Sequence, residues 1–254
     1  MKKCILFLLL LSNLAIASSL PKLDFFRTLG GSGDDGAYDL VIDHNGNIYV
    51  LGWYTGSIDL NPSAVTNATT AYGNRDIFLA KYDSVGNYIW SFGVGSVGQD
   101  EGSVITLDSS GSVIIAGRFS GSLDFDPSIN VNFKVSNGNR DIYLAKYDSL
   151  GNLIWVNSMG GNLYDDAEDV LVDTVGNIYL AGSFQTTVDF DPEGGVDLRV
   201  SNGLSDAYLA CYSSNGIFNW VRTFGGNLED DFSKIERRKY SNEDLLEEAR
   251  KSRG

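Results

Sequence analysis

The sequence repeats itself with a period of 65 residues. Trp90, Trp155 and Trp220 keep that spacing, as do Gly46, Gly111 and Gly176, then Gly52, Gly117 and Gly182, then Pro62, Pro127 and Pro192. No insertion interrupts the register. The segments GNRDIFLAKYDSVGNYIW from Gly73 and GNRDIYLAKYDSLGNLIW from Gly138 agree at 15 of 18 positions, which speaks for duplication over chance. So strict a period means one supersecondary unit copied in tandem, each copy burying its apolar surface against its neighbours.

Each unit reads as two hairpins. In AYDLVIDHNGNIYVLGWY two β-rich runs flank Asp43 to Asn47, and in DIFLAKYDSVGNYIWSFG two more flank Asp83 to Asn87. An Asp followed three residues later by Gly suits a type I turn whose carboxylate caps backbone amides and whose Gly takes the left-handed conformation. That gives four strands per unit and no helix before residue 233. The strand NIYVLGWY is apolar on both alternating sets, Ile48 and Val50 on one side and Tyr49, Leu51 and Trp53 on the other, so both of its faces are expected to be covered. Four-stranded antiparallel units buried on both faces and recurring in tandem are the blades of a β-propeller. The expected fold is all-β, a partial propeller of about three blades at 35–90, 100–155 and 165–220, with a fourth begun at 221–232. A hydrophobic fraction of 43%, with 12% aromatic, is enough for such a core.

The run GN.Y..G.F.G..DFDP, followed by D.YLAKYDS.GN..W...GG....D, resembles the bacterial β-propeller repeat labelled SBBP over about residues 24–232. The resemblance implies a secreted propeller whose ligand is unknown, and it brings no catalytic residues with it.

Both ends differ from the repeats. Residues 1–17 have a basic start at Lys2 and Lys3, an apolar run from Cys4 to Leu14 and an Ala15-Ile16-Ala17 end, the layout of a cleavable export signal cut after Ala17. The run is short for a bilayer span and is broken by Ser12 and Asn13, which disfavours a membrane anchor. Cleavage would leave Cys211 as the one cysteine, so no internal disulfide would form in an oxidising compartment. At the other end, GGNLEDDFSKIERRKY opens like GGNLYDDAEDVLVD and then turns basic after Phe232. Residues 233–254 read as a charged, helical tail outside the 18–232 repeat region, with Ser241 as its cap. The break falls inside a blade, so the expected product is incomplete and self-associates through open blade faces, is unstable, or belongs to a longer protein.

Charge and missing residue types bound the function. Residues 18–232 hold 10 Lys and Arg against 28 Asp and Glu, a balance that repels phosphate backbones and excludes nucleic acid as a partner. The single histidine, His44, sits at a hairpin turn, so His-based zinc sites and Ser-His-Asp triads lack their parts. Two acidic sets repeat. One is Asp35, Asp100, Asp165 and Asp230 in the loops between units; the other is Asp59, Asp124 with Asp126, and Asp189 with Asp191 in the long loop of each unit. Convergent carboxylates would ligate Ca²⁺, whereas Asp residues that cap turn amides would recur in the same way for structural reasons. Trp53, replaced by Arg118 and Ser183 in the other units, would stack on a sugar beside Tyr54 if exposed. The reading is a secreted, noncatalytic binding or scaffold module for a protein or glycan, without a cofactor. Its alternatives are a hydrolase or lyase that cuts extracellular glycans with loop carboxylates, and a purely structural adhesion repeat.

Overall fold

A computed structural model describes residues 5–6, 28–61, 63, 67–192, 194–232 and 234–235. Most of the expected signal segment, with Ala15 and Ala17, and the expected tail helix lie outside the described residues. Short strands β1 (Ile5–Leu6) and β2 (Thr28–Gly31) precede the first repeat, which contains β3 (Asp35–Ile42), β4 (Ile48–Tyr54), β5 (Ser57–Asp59), β6 (Ala68–Thr70), β7 (Asp76–Tyr82) and β8 (Tyr88–Val94). The second holds β9 (Glu101–Leu107), β10 (Val113–Phe119), β11 (Ser122–Asp124), β12 (Phe133–Val135), β13 (Asp141–Tyr147) and β14 (Leu153–Met159). The third holds β15 (Asp166–Val172), β16 (Ile178–Phe184), β17 (Thr187–Asp189), β18 (Leu198–Val200), β19 (Asp206–Tyr212) and β20 (Phe218–Phe224).

The long strands form three antiparallel four-stranded sheets in the orders β3-β4-β7-β8, β9-β10-β13-β14 and β15-β16-β19-β20. Each repeat therefore has six strands, not the four read from the sequence. The extra pairs are the small hairpins β5–β6, β11–β12 and β17–β18 in the long loops. At three residues per strand, their alternation is too short to register as a period.

The hairpin turns form as their chemistry requires. Asp43 Oδ1 accepts the amides of Asn45 and Asn47, both at 2.9 Å, and Gly46 takes φ 82°, a value that suits a residue without Cβ. The same scheme recurs at Asp83, Asp108, Asp148 and Asp173. Gly52, Gly117 and Gly182 have a different reason to repeat. A Cβ on any of them would lie 2.0 or 2.1 Å from the carbonyl oxygen of Gly36, Glu101 or Asp166 on the neighbouring strand.

Alternation along the strands divides the core into layers between repeats. Tyr49, Leu51, Ile77 and Leu79 of the first sheet pack against Val113, Ile115, Tyr143 and Ala145 of the second. The opposite face of the second sheet, Ile114, Ala116, Ile142 and Leu144, meets Ile178, Leu180, Tyr208 and Ala210 of the third. Innermost strand β9 lies between β3 and β15. The second sheet thus buries an odd and an even set of side chains against different neighbours, which is why its strands are apolar throughout.

A polar latch closes each seam. Trp90 Nε1 and Lys81 Nζ both donate to the carbonyl of Ser149 in the next repeat, at 3.2 and 3.0 Å. Trp155 and Lys146 repeat the contact to Ser214 O at 3.3 and 3.1 Å. In the third repeat Trp220 keeps its place, but Cys211 stands where Lys81 and Lys146 stand. The outward face here is less covered: Leu209 and Tyr179 are half-buried, whereas their counterparts Leu79, Leu144, Tyr49 and Ile114 are buried.

The repeat register runs past the point where the sequence changes character. Asp230 N donates to Ser205 O at 2.9 Å, as Asp100 N does to Arg75 O and Asp165 N to Arg140 O. Ile235 N donates to Asp169 Oδ2 at 2.6 Å, the counterpart of Ile105 N to Asp39 Oδ2 at 3.0 Å. Asp230 and Ile235 thus keep the hydrogen-bond register of a further unit's first strand.

Candidate functional site

Starts of the first and third long strands, and ends of the second and fourth, share one end of the molecule, as the pairings Asp35 with Tyr54, Tyr54 with Asp76 and Ile77 with Val94 show. The loops between repeats and the small hairpins gather there. Both acidic sets, one in the loops between repeats and one in the long loops, therefore lie at this end.

The inter-repeat carboxylates are loop clamps. Asp100 Oδ2 accepts Ser96 N at 2.5 Å and Oδ1 accepts Ser120 N at 2.9 Å; Asp165 does the same with Gly161 N at 2.7 Å and Gln185 N at 2.9 Å. Asp35 and Asp230 accept Gly31 N and Gly226 N at 2.9 and 2.7 Å. The second set shapes the long loops. Asp59 Oδ1 accepts Asn61 N and Asn67 N, Asp124 Oδ1 accepts Asp126 N and Asn132 N, and Asp189 Oδ1 accepts Asp191 N and Asp197 N, all between 2.7 and 3.1 Å. Tyr82, Tyr147 and Tyr212 secure the same loops through their hydroxyls to Leu60 O, Phe125 O and Phe190 O. Among the described residues no three of His, Cys, Asp and Glu group as metal ligands.

A third carboxylate set, Asp76, Asp141 and Asp206, was not singled out from the sequence although it keeps the same period. All three are buried and accept amides from Tyr72, Asn137 and Asn202. Gly95, Gly160 and Gly225 lie so close to them that a Cβ would come within 2.0 to 2.2 Å of the carboxyl carbon. Repetition was the available signal. Each lies one inter-repeat loop away from a clamp, pairing Asp76 with Asp100 and Asp141 with Asp165. Burial, with a smaller push from these neighbouring charges, raises the Asp100 carboxyl to about 6 and that of Asp165 to about 7.

Between these loops a chain of ion pairs crosses two seams. Arg75 and Arg118 both bind Glu101, and Asp166 accepts from Arg118 at 3.3 Å and from Arg140 at 2.7 Å. Burial works against ionisation of Glu101, but its arginine partners outweigh it and hold the carboxyl below its usual range. Tyr38, Ser103, Arg118 and Glu168 line a cavity of about 320 Å³ beside this chain, with Tyr38, Ser103 and Glu168 at one repeat position of the innermost strands. The Trp53 and Tyr54 pair does not present two open rings: Tyr54 is 1% exposed, and the Arg75 guanidinium covers Trp53 at 4.0 Å. Arg118→Ala is expected to lower stability by about 1–2 kcal/mol in chemical denaturation, less than the usual loss for a broken buried pair because Arg75 and Arg140 stay on the two carboxylates. No loss would mean that the chain of charges is ornamental to the fold.

Comparison with known proteins bears on the fold. No family model matches the chain. It is similar to the uncharacterized WD repeat-containing protein L264 of Acanthamoeba polyphaga mimivirus, 26% identical over 226 residues, covering 77% of this chain and 16% of that protein. It is also similar to the regulatory protein FlaEY of Caulobacter vibrioides (strain ATCC 19089 / CIP 103742 / CB 15), 27% identical over 180 residues, covering 69% of this chain and 18% of that one. The chain spans less than a fifth of the length of either relative. WD repeats are four-stranded propeller units, so this likeness fits the tandem antiparallel sheets and a propeller-like architecture. Among the described residues no helix is long and apolar enough to cross a membrane.

Proposed function

We propose that the chain is an exported, noncatalytic binding or scaffold module made of about three propeller blades and completed by further units of the same design. The observation that carries the reading is the latch geometry, which is repeated at both seams and leaves Trp220 and the third sheet's outer face ready for a following unit. The clamp carboxylates support binding over hydrolysis. Asp100 and Asp165 are buried and spend both oxygens on backbone amides, so they shape loops that a ligand can meet.

Two measurements test the proposal. Screening the purified chain against glycan and peptide arrays and assaying polysaccharide breakdown should give saturable binding without product release. Turnover abolished by an Asp→Asn change in these loops would overturn the noncatalytic reading. Hydrogen exchange tests completion: amides of β19 and β20 are expected to exchange faster than those of β13 and β14. Equal protection in a stable monomer would mean that the third face needs no further unit.

A further inference from the structure

We propose that the groove between the first repeat and the β11–β12 hairpin docks a basic side chain, Lys or Arg, from a peptide segment of a partner protein. The inference names the partner chemistry for the binding-module reading and rests on it.

The groove has a volume of about 450 Å³. Its walls come from different repeats. Tyr72, just after β6, is 78% exposed; Phe133, at the start of β12, is 58% exposed and pairs directly across its hairpin with Asp124. Asp126 and Val97 line it as well. Two solvent-facing aromatic rings are left uncovered at a site that also carries two carboxylates, and that combination matches a cation carrying an aliphatic stem. The ring faces attract the charge, the stem covers apolar surface, and the carboxylates accept the N–H donors.

The charge of the wall favours a basic occupant over a neutral sugar. Asp124 and Asp126 are the charged residues among those lining the groove; no Lys or Arg joins them, and the side-chain donors there are the hydroxyls of Tyr72, Ser96, Ser122 and Ser128. The hydroxyl proton of Ser96 is already given to Ser120 O at 2.6 Å. A guanidinium or ammonium, which only donates, suits a wall rich in acceptors. The net charge of −14 would further draw a basic segment toward the molecule.

The groove is also specific to one seam. At the second seam Asn137 and Leu198 occupy the positions of Tyr72 and Phe133, and Arg199 there pairs with Asp197 at 2.7 Å. The fold does not require the aromatic pair, since the second seam is built without it.

Fluorescence anisotropy with a labelled, capped Gly-Ser-Arg-Arg-Ser-Gly peptide tests the inference at physiological salt, with a version carrying Gln for Arg as control. The full chain is expected to bind the Arg peptide saturably. Tyr72→Ser with Phe133→Ser, both at exposed positions, should weaken binding about tenfold or more, while Leu198→Ser leaves it unchanged. Equal binding of the Gln peptide, or indifference to the double substitution, overturns the inference. Binding seen only after residues 233–254 are removed overturns it in favour of the chain's own basic tail as occupant. If a neutral glycan binds instead and the double substitution abolishes it, the basic-partner inference fails while the binding-module reading stands. No binding by any ligand class overturns both.

Discussion

Trp155→Ala is expected to destabilise the protein by about 2–3 kcal/mol, below the range for a fully buried aromatic because Trp155 is half-buried at the edge of the core, whereas Trp220→Ala should cost about 1 kcal/mol or less. The two residues are the same type at the same repeat position. Trp155 packs against Gly216 of the next repeat, where an added Cβ would stand 3.0 Å from its ring, and its indole N–H bonds to Ser214 O. Among the described residues, Trp220 has ring and cation contacts within its own sheet, with Tyr179 at 6.1 Å and the Arg222 guanidinium at 5.9 Å. At roughly 2–4 °C per kcal/mol for a chain of this size, the midpoints of the two variants should separate by about 5 °C. Equal losses would show that Trp220 is packed as its counterparts are, and would contradict the open third face.

Stability is expected to rise as the pH falls from 8 to 5. The sign follows from the buried clamps: the Asp165 and Asp100 carboxyls hold their protons up to about 7 and about 6 in the folded chain, but release them near the ordinary value of about 3.9 once unfolded. Across that window the folded state binds more protons, so acidification favours it. Asp165 should contribute about 2–3 kcal/mol over the interval and Asp100 about 1 kcal/mol. The turn carboxylates do not oppose this trend. Slight burial at Asp43 and Asp173 disfavours ionisation, but hydrogen bonds from Asn47 and Asn177 outweigh it, so their contribution is lost only below the unfolded value. Asp165→Asn tests the assignment, because thermal melts of this variant should lose most of the slope. An unchanged slope would place its origin elsewhere, for instance in relief of the overall negative charge.

Much of the architecture was legible because the repeat multiplies each signal. The four long strands of each sheet, the Asp and Gly turns and the two-sided burial of NIYVLGWY all followed from period and alternation. The β5–β6, β11–β12 and β17–β18 hairpins did not, since three residues cannot establish a pattern. Asp35, Asp100, Asp165 and Asp230 were visible as a set, but spacing does not distinguish a carboxylate that caps amides from one that awaits a ligand. Asp76, Asp141 and Asp206 carried the same signal, hidden because the strands beginning at them read as apolar runs. Trp53 and Tyr54 illustrate a different limit. Their chemistry suggested a sugar platform, but whether a ring is open depends on Arg75, 22 residues beyond Trp53 in the sequence and lying over its face.

The latch directs two side chains to a backbone carbonyl, and every residue type has one. A seam of this kind is indifferent to the identity of the residue it grips at positions 149 and 214, so a duplicated unit can join the row without a compensating change in its new neighbour. Exact in-frame copying, with no insertion between successive tryptophans, is compatible with a contact of this kind, which carries over from seam to seam while the ion pairs beside it differ.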